Sequence, residues 1–532
     1  MKFPSFQKIS LLLFFFEQNR GRAKGTSTLW AVFIFLIFST LGLSMLHLTQ
    51  IYIKLSSFKK NSLLLGYTSE NGIKQGFTQL FNMFMQNTSP IILSEEKEIE
   101  LRQDALNMGL KTLQMISGQD LPLLYKEHWK QFNWETLTTF YPEKIQDKND
   151  YFNAIYLANI YSEGKLDNFS PKRASSLEVS IGISVGKIPL PMLPVLLEKK
   201  LSLKEKENFL EENNIELLPS SVSSTSTKMN FSEEKILPKE APEQLNKALK
   251  TEIFYPQNLS PAQLRRALGL EEGNDPIPQG VYLIKDDLGL GGLFVQGDVD
   301  EMILAIQDSF QIISFLKPEG AWILKFNPYE QKTIFSTPAK IESYDFNPRG
   351  IIVVNGEIKS LGGGVVEPTG EITMVSDETP CILQGINLTL ISSDKITISS
   401  HIIHQGITWQ EGVPYAKDST SQLVIFTTGQ DFLDESLKEG KIIIGEDSPQ
   451  DIKIQASITA AGNGFAIQGK GKTVHISGSL HMSDYSSNNN ELKISFDDRF
   501  LTDESLLENA PKTTKPVLSI LFFKTQEWKD MI

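Results

Sequence analysis

Apolar positions follow three rhythms along this chain. From Gly25 to Ile53 the sequence GTSTLWAVFIFLIFSTLGLSMLHLTQIYI carries no Asp, Glu, Lys or Arg. A helix rises about 1.5 Å per residue, so roughly 20 apolar residues cross the hydrocarbon core of a bilayer. This run is long enough, and Trp30 and Tyr52 stand near its ends, where amphipathic rings favour the headgroup zone. A secretory signal has a shorter apolar region and a small-residue cleavage site. Neither is evident, so the run predicts one transmembrane helix. The second rhythm begins inside the first. Ile51, Leu55 and Phe58, then Ile73, Phe77, Leu80, Phe81 and Phe84, recur at helical spacing among Ser, Asn, Lys and Glu. The anchor is therefore expected to continue as an amphipathic helix to about Met85, on the order of 85–90 Å in all. Gly66, Gly72 and Gly76 predict a loose helix there, since each costs up to about 1 kcal/mol against Ala.

The third rhythm runs from about Gly280 to Leu501. Short alternating pieces such as Gly350–Ile358, Ile386–Ser392, Asp451–Ile458 and Lys472–Leu480 are broken by Gly, Ser, Asn and Asp every six to ten residues. That spacing predicts an all-β body. Neighbours such as INLTLISSD and KITISSHII read as successive rungs, so a solenoid-like stack competes with a sandwich, although no fixed repeat length is visible. The expected fold class is mainly β with an N-terminal transmembrane helix, a β-solenoid-like or sandwich-like outer domain and a smaller helical region.

Residues 1–24 read as a cytoplasmic leader and 25–86 as the long helix. Residues 88–218 read as a mixed, mostly helical region. There Ser94 opens a helix, Ile99, Leu106, Leu110 and Leu113 form its apolar stripe, Gly118 stops it, and the aromatics from Tyr125 to Tyr161 serve packing. Within that region Leu177–Ile188 alternates as a strand. Residues 219–242 are rich in Ser, Thr, Pro and charge, the chemistry of a linker. Short helices are expected over 243–278, one opened by Ser260 and Pro261 and closed by Gly269. The β-rich domain takes 279–501, and 502–532 remain as a C-terminal tail.

At 532 residues the chain has room for two to four domains, and 40% hydrophobic with 22% charged residues is a globular balance. The formal net charge of -13, with no dense basic stripe, argues against nucleic-acid binding. A single cysteine, Cys381, excludes a disulfide framework. Arg20, Arg22 and Lys24 precede the apolar run and Lys54, Lys59 and Lys60 follow it, a small bias toward a cytoplasmic N-terminus. The bulk of the chain is then extracytoplasmic, and the lipid bilayer is the first partner.

Little in the β body reads as chemistry. Gly182-Ile183-Ser184-Val185-Gly186 matches G-x-S-x-G, but Pro189, Pro191 and Pro194 follow where a helix is required. His401 and His404 form H-x-x-H without a third ligand, and on a strand that odd spacing points them to opposite faces. His475 and His481 add no metal signature. Gly469-Lys470-Gly471-Lys472-Thr473 resembles the end of a phosphate loop, yet Ala466 stands where its first glycine belongs, so a turn is expected. Asp497, Asp498 and Arg499 suggest an ion pair closing the body. Gly289, Gly291 and Gly292 read as a flexible loop. No catalytic, cofactor-binding or metal residue is assigned.

The basic NRGRAKG segment, the Leu-rich helix and the stretch Ser69-Glu70-Asn71-Gly72-Ile73 within ENGIKQGF resemble the N-terminus of PilX-type pilus-assembly proteins, relatives of minor type IV pilins. The pieces NLTLISSDKITISSHI, DIKIQASITAAGNGFAIQG and KTVHISGSLHMSD, with the closing FDDRFL, resemble the β-rich domain of unknown function in such proteins. The resemblance implies a non-enzymatic, minor-pilin-like component of a type IV pilus or type II secretion-like assembly, with other pilin-like proteins as partners. It places the processing position at Gly25 and Thr26, with Trp30 where major pilins carry glutamate. Ser39, Gly42 and Ser44 are the small residues expected to let helices pack closely. The alternative is a cell-surface polysaccharide-binding or polysaccharide-processing solenoid, with glycans as its ligands. Mass analysis of the mature N-terminus tests the implied processing: an N-methylated Thr26 is expected, and an intact Met1 excludes it.

Overall fold

The structure is a computed structural model describing residues 26–85, 90–218 and 229–531, apart from residues 130–131, 168, 200, 202, 240–241, 251–260, 287–288, 411–412, 416–420 and 502. The expected leader, Gly25, Ser260 and most of the expected linker lie outside the described residues. The long helix α1 runs unbroken over Thr26–Met85, 60 residues, or about 90 Å at the usual rise. Its C-terminal half is buried on one stripe, including Leu65, Ile73, Leu80 and Phe84, at the spacing of successive helical turns. The glycines of this half do not loosen it. A Cβ on Gly72 would lie 2.0 Å from Ser162 Oγ, and one on Gly76 would lie 2.8 Å from both Ile160 and Thr136 side-chain carbons. These positions lack a side chain because the helix axis is pressed against a sheet.

Two short helices follow the strand β1 (Ile91–Ile92). Ser94 caps α2 (Glu95–Leu106) by accepting from the Lys97 amide at 3.3 Å, and Gly118 ends α3 (Lys111–Ser117) with φ +64°. Leu101, Ala105 and Leu113 are the buried positions, whereas Ile99 and Leu106 are exposed, so the apolar stripe differs from the expected one. Helix stops there. The expected mostly helical region gives way to four strands, β2 (Leu123–Trp129), β3 (Phe132–Asp147), β4 (Tyr151–Leu166) and β5 (Phe169–Gly186). Strands of 16 to 18 residues outlast the usual span, which spaces the turn signals so widely that the pattern between them reads as helix. Tyr156 is fully buried and Trp134 nearly so, in keeping with a packing role for the aromatics.

The six-stranded sheet is ordered β1, C-terminal strand, β5, β4, β3, β2, every neighbour antiparallel. Its C-terminal strand is Val517–Met531, so the expected tail is instead an interior strand. Phe523 of that strand packs against Phe77 and Phe81 of α1, ring centroids 5.7 Å apart in each case. The helix also docks through polar contacts. Ser69 Oγ meets Ser175 Oγ at 3.0 Å, Thr136 donates to the Gly72 carbonyl at 3.2 Å, and Trp134 Nε1 donates to Gln75 Oε1 at 2.8 Å.

Between the two chain segments that build that sheet stands a parallel β-solenoid. The chain alternates between two long sheets, from Gly289–Gln296 to Glu301–Gln307, then from Ile351–Asn355 to Ile358–Val366, and onward to Glu491–Phe496. Each strand pairs in parallel with the one a coil later. The coils shorten along the chain. Leu293 pairs with Ile352, 59 residues on, Val354 with Ser392 after 38, Val424 with Ser457 after 33, and Thr473 with Glu491 after 18. That shortening is why no fixed period shows in the sequence. Ile352, Leu390, Ile425, Ile458 and Leu480 stack in register through the interior, all buried. Of the two expected architectures, the solenoid is the one formed.

Three boundaries move. Met229–Phe231, expected in the linker, is a buried strand pairing with Val195–Leu197. Gly289, Gly291 and Gly292 belong to a strand rather than a loop. The helix Pro242–Leu249 crosses them so closely that a Cβ on Gly291 would sit 2.5 Å from the Ala248 carbonyl oxygen. The short helix Pro261–Ala267, ending before Gly269 at φ +69°, stands where it was expected.

Close approach of α1 to the sheet has a direct test. Helix propensity favours Gly→Ala by up to about 1 kcal/mol, whereas overpacking a well-filled interface costs about 1–3 kcal/mol. Gly72→Ala is therefore expected to lower the denaturation midpoint, while Gly42→Ala, whose Cβ would meet nothing within 4 Å, is not. Equal midpoints for the two variants would contradict the packing described.

Candidate functional site

Among the described residues one helix is long and apolar enough to cross a membrane, the stretch of α1 beginning at Ala31. A helix covering a protein core hides one stripe and shows the other. Here seven consecutive residues, Val32 to Phe38, are all exposed, with Phe35 at 72% and Phe38 at 69%. Every side of the rod is bare. Its hydroxyls are satisfied without water: Thr40 donates to the Leu36 and Ile37 carbonyls, Ser44 to Thr40 and Thr49 to Met45, at 2.7–2.9 Å. That is the only way such groups avoid a large penalty in hydrocarbon.

Ser39 and Gly42, three residues apart, lie on neighbouring positions of one face. Ser44 is turned about 160° from Gly42 around the axis, so the three small residues do not form a single seam. Past Ile53 the surface changes. Lys54, Lys59 and Lys60 are exposed, as are Leu55 and Phe58, and continuous burial starts at Leu65. A neck of about 16 Å therefore separates the last uncharged residue from the docked half. Helix begins at Thr26, the residue expected to follow a processing cut.

A groove opens where the docked half passes the β2–β3 side of the sheet. It consists of two adjoining cavities of about 560 and 520 Å³ that share Gln79 and Tyr125. Sequence reading missed it, because Asn and Gln on the exposed face of an amphipathic helix carry no motif. Their spacing, Asn71, Gln75, Gln79 and Asn82, was the one available signal.

The groups singled out in the β body are absorbed by its architecture. Arg499 binds Asp497 through two nitrogens, Nε at 2.9 Å and Nη2 at 2.5 Å, both residues being largely buried, which is the expected ion pair. Ser184 is fully buried within β5 and no helix follows, so it is not a displayed nucleophile. Lys472 turns inward and donates to the Ser448 carbonyl, and its turn holds no phosphate cradle. Cys381 is buried, and desolvation pushes its thiol up to about 12. His401 Nδ1 accepts from the Lys453 amide at 3.0 Å, while His404 faces a small cavity beside Gln455 and Asp497. His475 Nε2 lies 2.8 Å from Asp451 Oδ1. His481 bridges two segments. Its Nε2 donates to the Leu193 carbonyl at 2.7 Å, which leaves Nδ1 to accept from Thr459 Oγ1 at 3.0 Å. Among the described residues no group of three or more His, Cys, Asp or Glu could hold a metal ion.

Comparison of the chain with protein-family models, with curated proteins and with solved structures finds no match in any of the three. Function is therefore read from the geometry of the chain itself.

Burial lowers both His404 and His481 to about 4, since a charged ring there would lose its hydration. An unfolded chain binds these protons near pH 6.5, and the folded one resists until about pH 4. Stability is therefore expected to be level in this respect above pH 6.5 and to fall toward pH 4, by up to about 1.4 kcal/mol per pH unit for each ring. Chemical denaturation at pH 7 and pH 5 measures the slope, and His481→Gln should make it shallower. A slope unchanged in that variant would show that His481 is not one of its sources.

Proposed function

We propose that this chain is a non-enzymatic, membrane-anchored component of a type IV pilus or type II secretion-like assembly, minor-pilin-like in its division of labour. The observation that carries this reading is the contrast within α1: one half covered by a sheet, the other bare on every side. Apolar surface of that extent on a rod needs lipid or other apolar helices around it. About 23 residues from Ala31 to Ile53 give roughly 35 Å, enough for a hydrocarbon core of about 30 Å. The collar of Lys54, Lys59 and Lys60 would then meet the headgroups, with the neck holding sheet and solenoid clear of the surface.

In this reading the N-terminus is cytoplasmic and the bulk of the chain extracytoplasmic. Ser39 and Gly42 allow a second helix to approach the same face, the geometry that assembly with pilin-like partners would use. The solenoid supports a contact role, because its buried polar groups serve its own rungs and closing turn.

Two measurements test this. The native chain is expected to stay with membranes through alkaline carbonate washing. The double variant Leu36→Arg, Leu43→Arg is expected to be released or fail to insert, each charge costing about 2.5–3.5 kcal/mol at the helix centre. A Gly42→Cys variant, made selective by the burial of Cys381, should cross-link to co-purifying pilin-like chains. Extraction of the native chain without detergent sinks the anchor, and cross-linking to nothing sinks the assembly role.

A further inference from the structure

We propose that the groove between α1 and the β2–β3 side of the sheet binds a neutral oligosaccharide. Its helical wall presents four amides, Asn71, Gln75, Gln79 and Asn82, spaced i, i+4, i+8 and i+11 so that they form one stripe. An amide offers an acceptor and two donors, the complement of sugar hydroxyls, which both give and take hydrogen bonds. The opposite wall supplies the rings of Tyr125 and Trp134. Flat apolar faces with polar tips suit the alternating C–H and O–H surface of a pyranose. Trp134 is held in place, since its Nε1 donates to Gln75 Oε1 at 2.8 Å. Thr136, Thr138 and Ser117 add hydroxyls deeper in the second cavity.

Charge narrows the ligand further. The chain is acidic overall, at -13, yet no carboxylate lines either cavity, and Lys74 is the one charged lining residue. Hydrolysis of a glycoside needs a pair of carboxylates flanking the bond, so the groove binds and does not cleave. Cavities of about 560 and 520 Å³ joined at Gln79 and Tyr125 suit a short chain of rings lying along the helix. The site lies on the docked half of α1, and it stands whether or not the bare half sits in lipid.

The full chain, solubilised in lauryldimethylamine oxide so that no sugar-headed detergent competes, is titrated calorimetrically with malto-, cello-, manno- and chitohexaose. At least one is expected to bind, with affinity indifferent to salt between 50 and 500 mM. Gln79→Ala and Tyr125→Ala, at surface-accessible positions, should each weaken it at least tenfold, with thermal melting unchanged. Absence of binding across the panel overturns the proposal. So does binding that survives both variants, which would move the glycan to the solenoid. An extended peptide that competes for the groove while no hexaose binds would assign it to strand addition along β2 instead.

Discussion

An apolar helix must be covered along its whole length, and this chain covers only half of one. The six-stranded sheet supplies the cover from Leu65 onward, through a stripe of large side chains alternating with glycines that let the backbones close together. Burial of each of Leu65, Ile73, Leu80 and Phe84 contributes about 1.5–3 kcal/mol, which is ample to fix the docked half. Nothing in the described chain performs that service for Val32 to Phe38. The asymmetry defines two surroundings for one rigid element, and the proposed placement rests on it.

The same economy of position runs through the solenoid. Parallel coils satisfy their backbone groups on the rungs before and after, so the stack needs a lid at each end rather than a closed barrel. At its last coil the ladder is continued by Ile215–Leu218, a segment from far earlier in the sequence. Near the close of that coil Asp497 and Arg499 form a two-nitrogen pair with most of its surface out of water. Buried ion pairs add little net stability but penalise every arrangement that separates them, which suits a position where register must be fixed.

How much of this was legible depended on whether the signal was local. The long helix, its Met85 end, the Ser94 cap and the Gly118 stop all rest on patterns within a few turns of chain, and all are present. The solenoid was visible as rungs, because alternation within Asn387–Ser392 and Asp451–Ala460 is local too. Its coil length was not, since it contracts from 59 residues to 18 and any single period fails. What escaped was long-range. Gly72 and Gly292 look like flexibility until the surface pressed against them is known. Val517–Met531 looks like a tail until β5, more than 300 residues earlier, offers it an edge. The amide groove exists only once β2 and β3 stand beside α1, so no segment could announce it.

That closing strand has a bearing on biogenesis. A ribosome making this chain from its first residue delivers α1 and four of the sheet's strands early, then the whole solenoid, and only at the end the fifteen residues that complete the platform. Until release, the flank of β5 is an open seam, the kind of surface that recruits stray strands. A nascent molecule of this design needs a guardian over that seam for as long as elongation lasts. Any chain cut short after the solenoid would carry a finished outer body on an unfinished base.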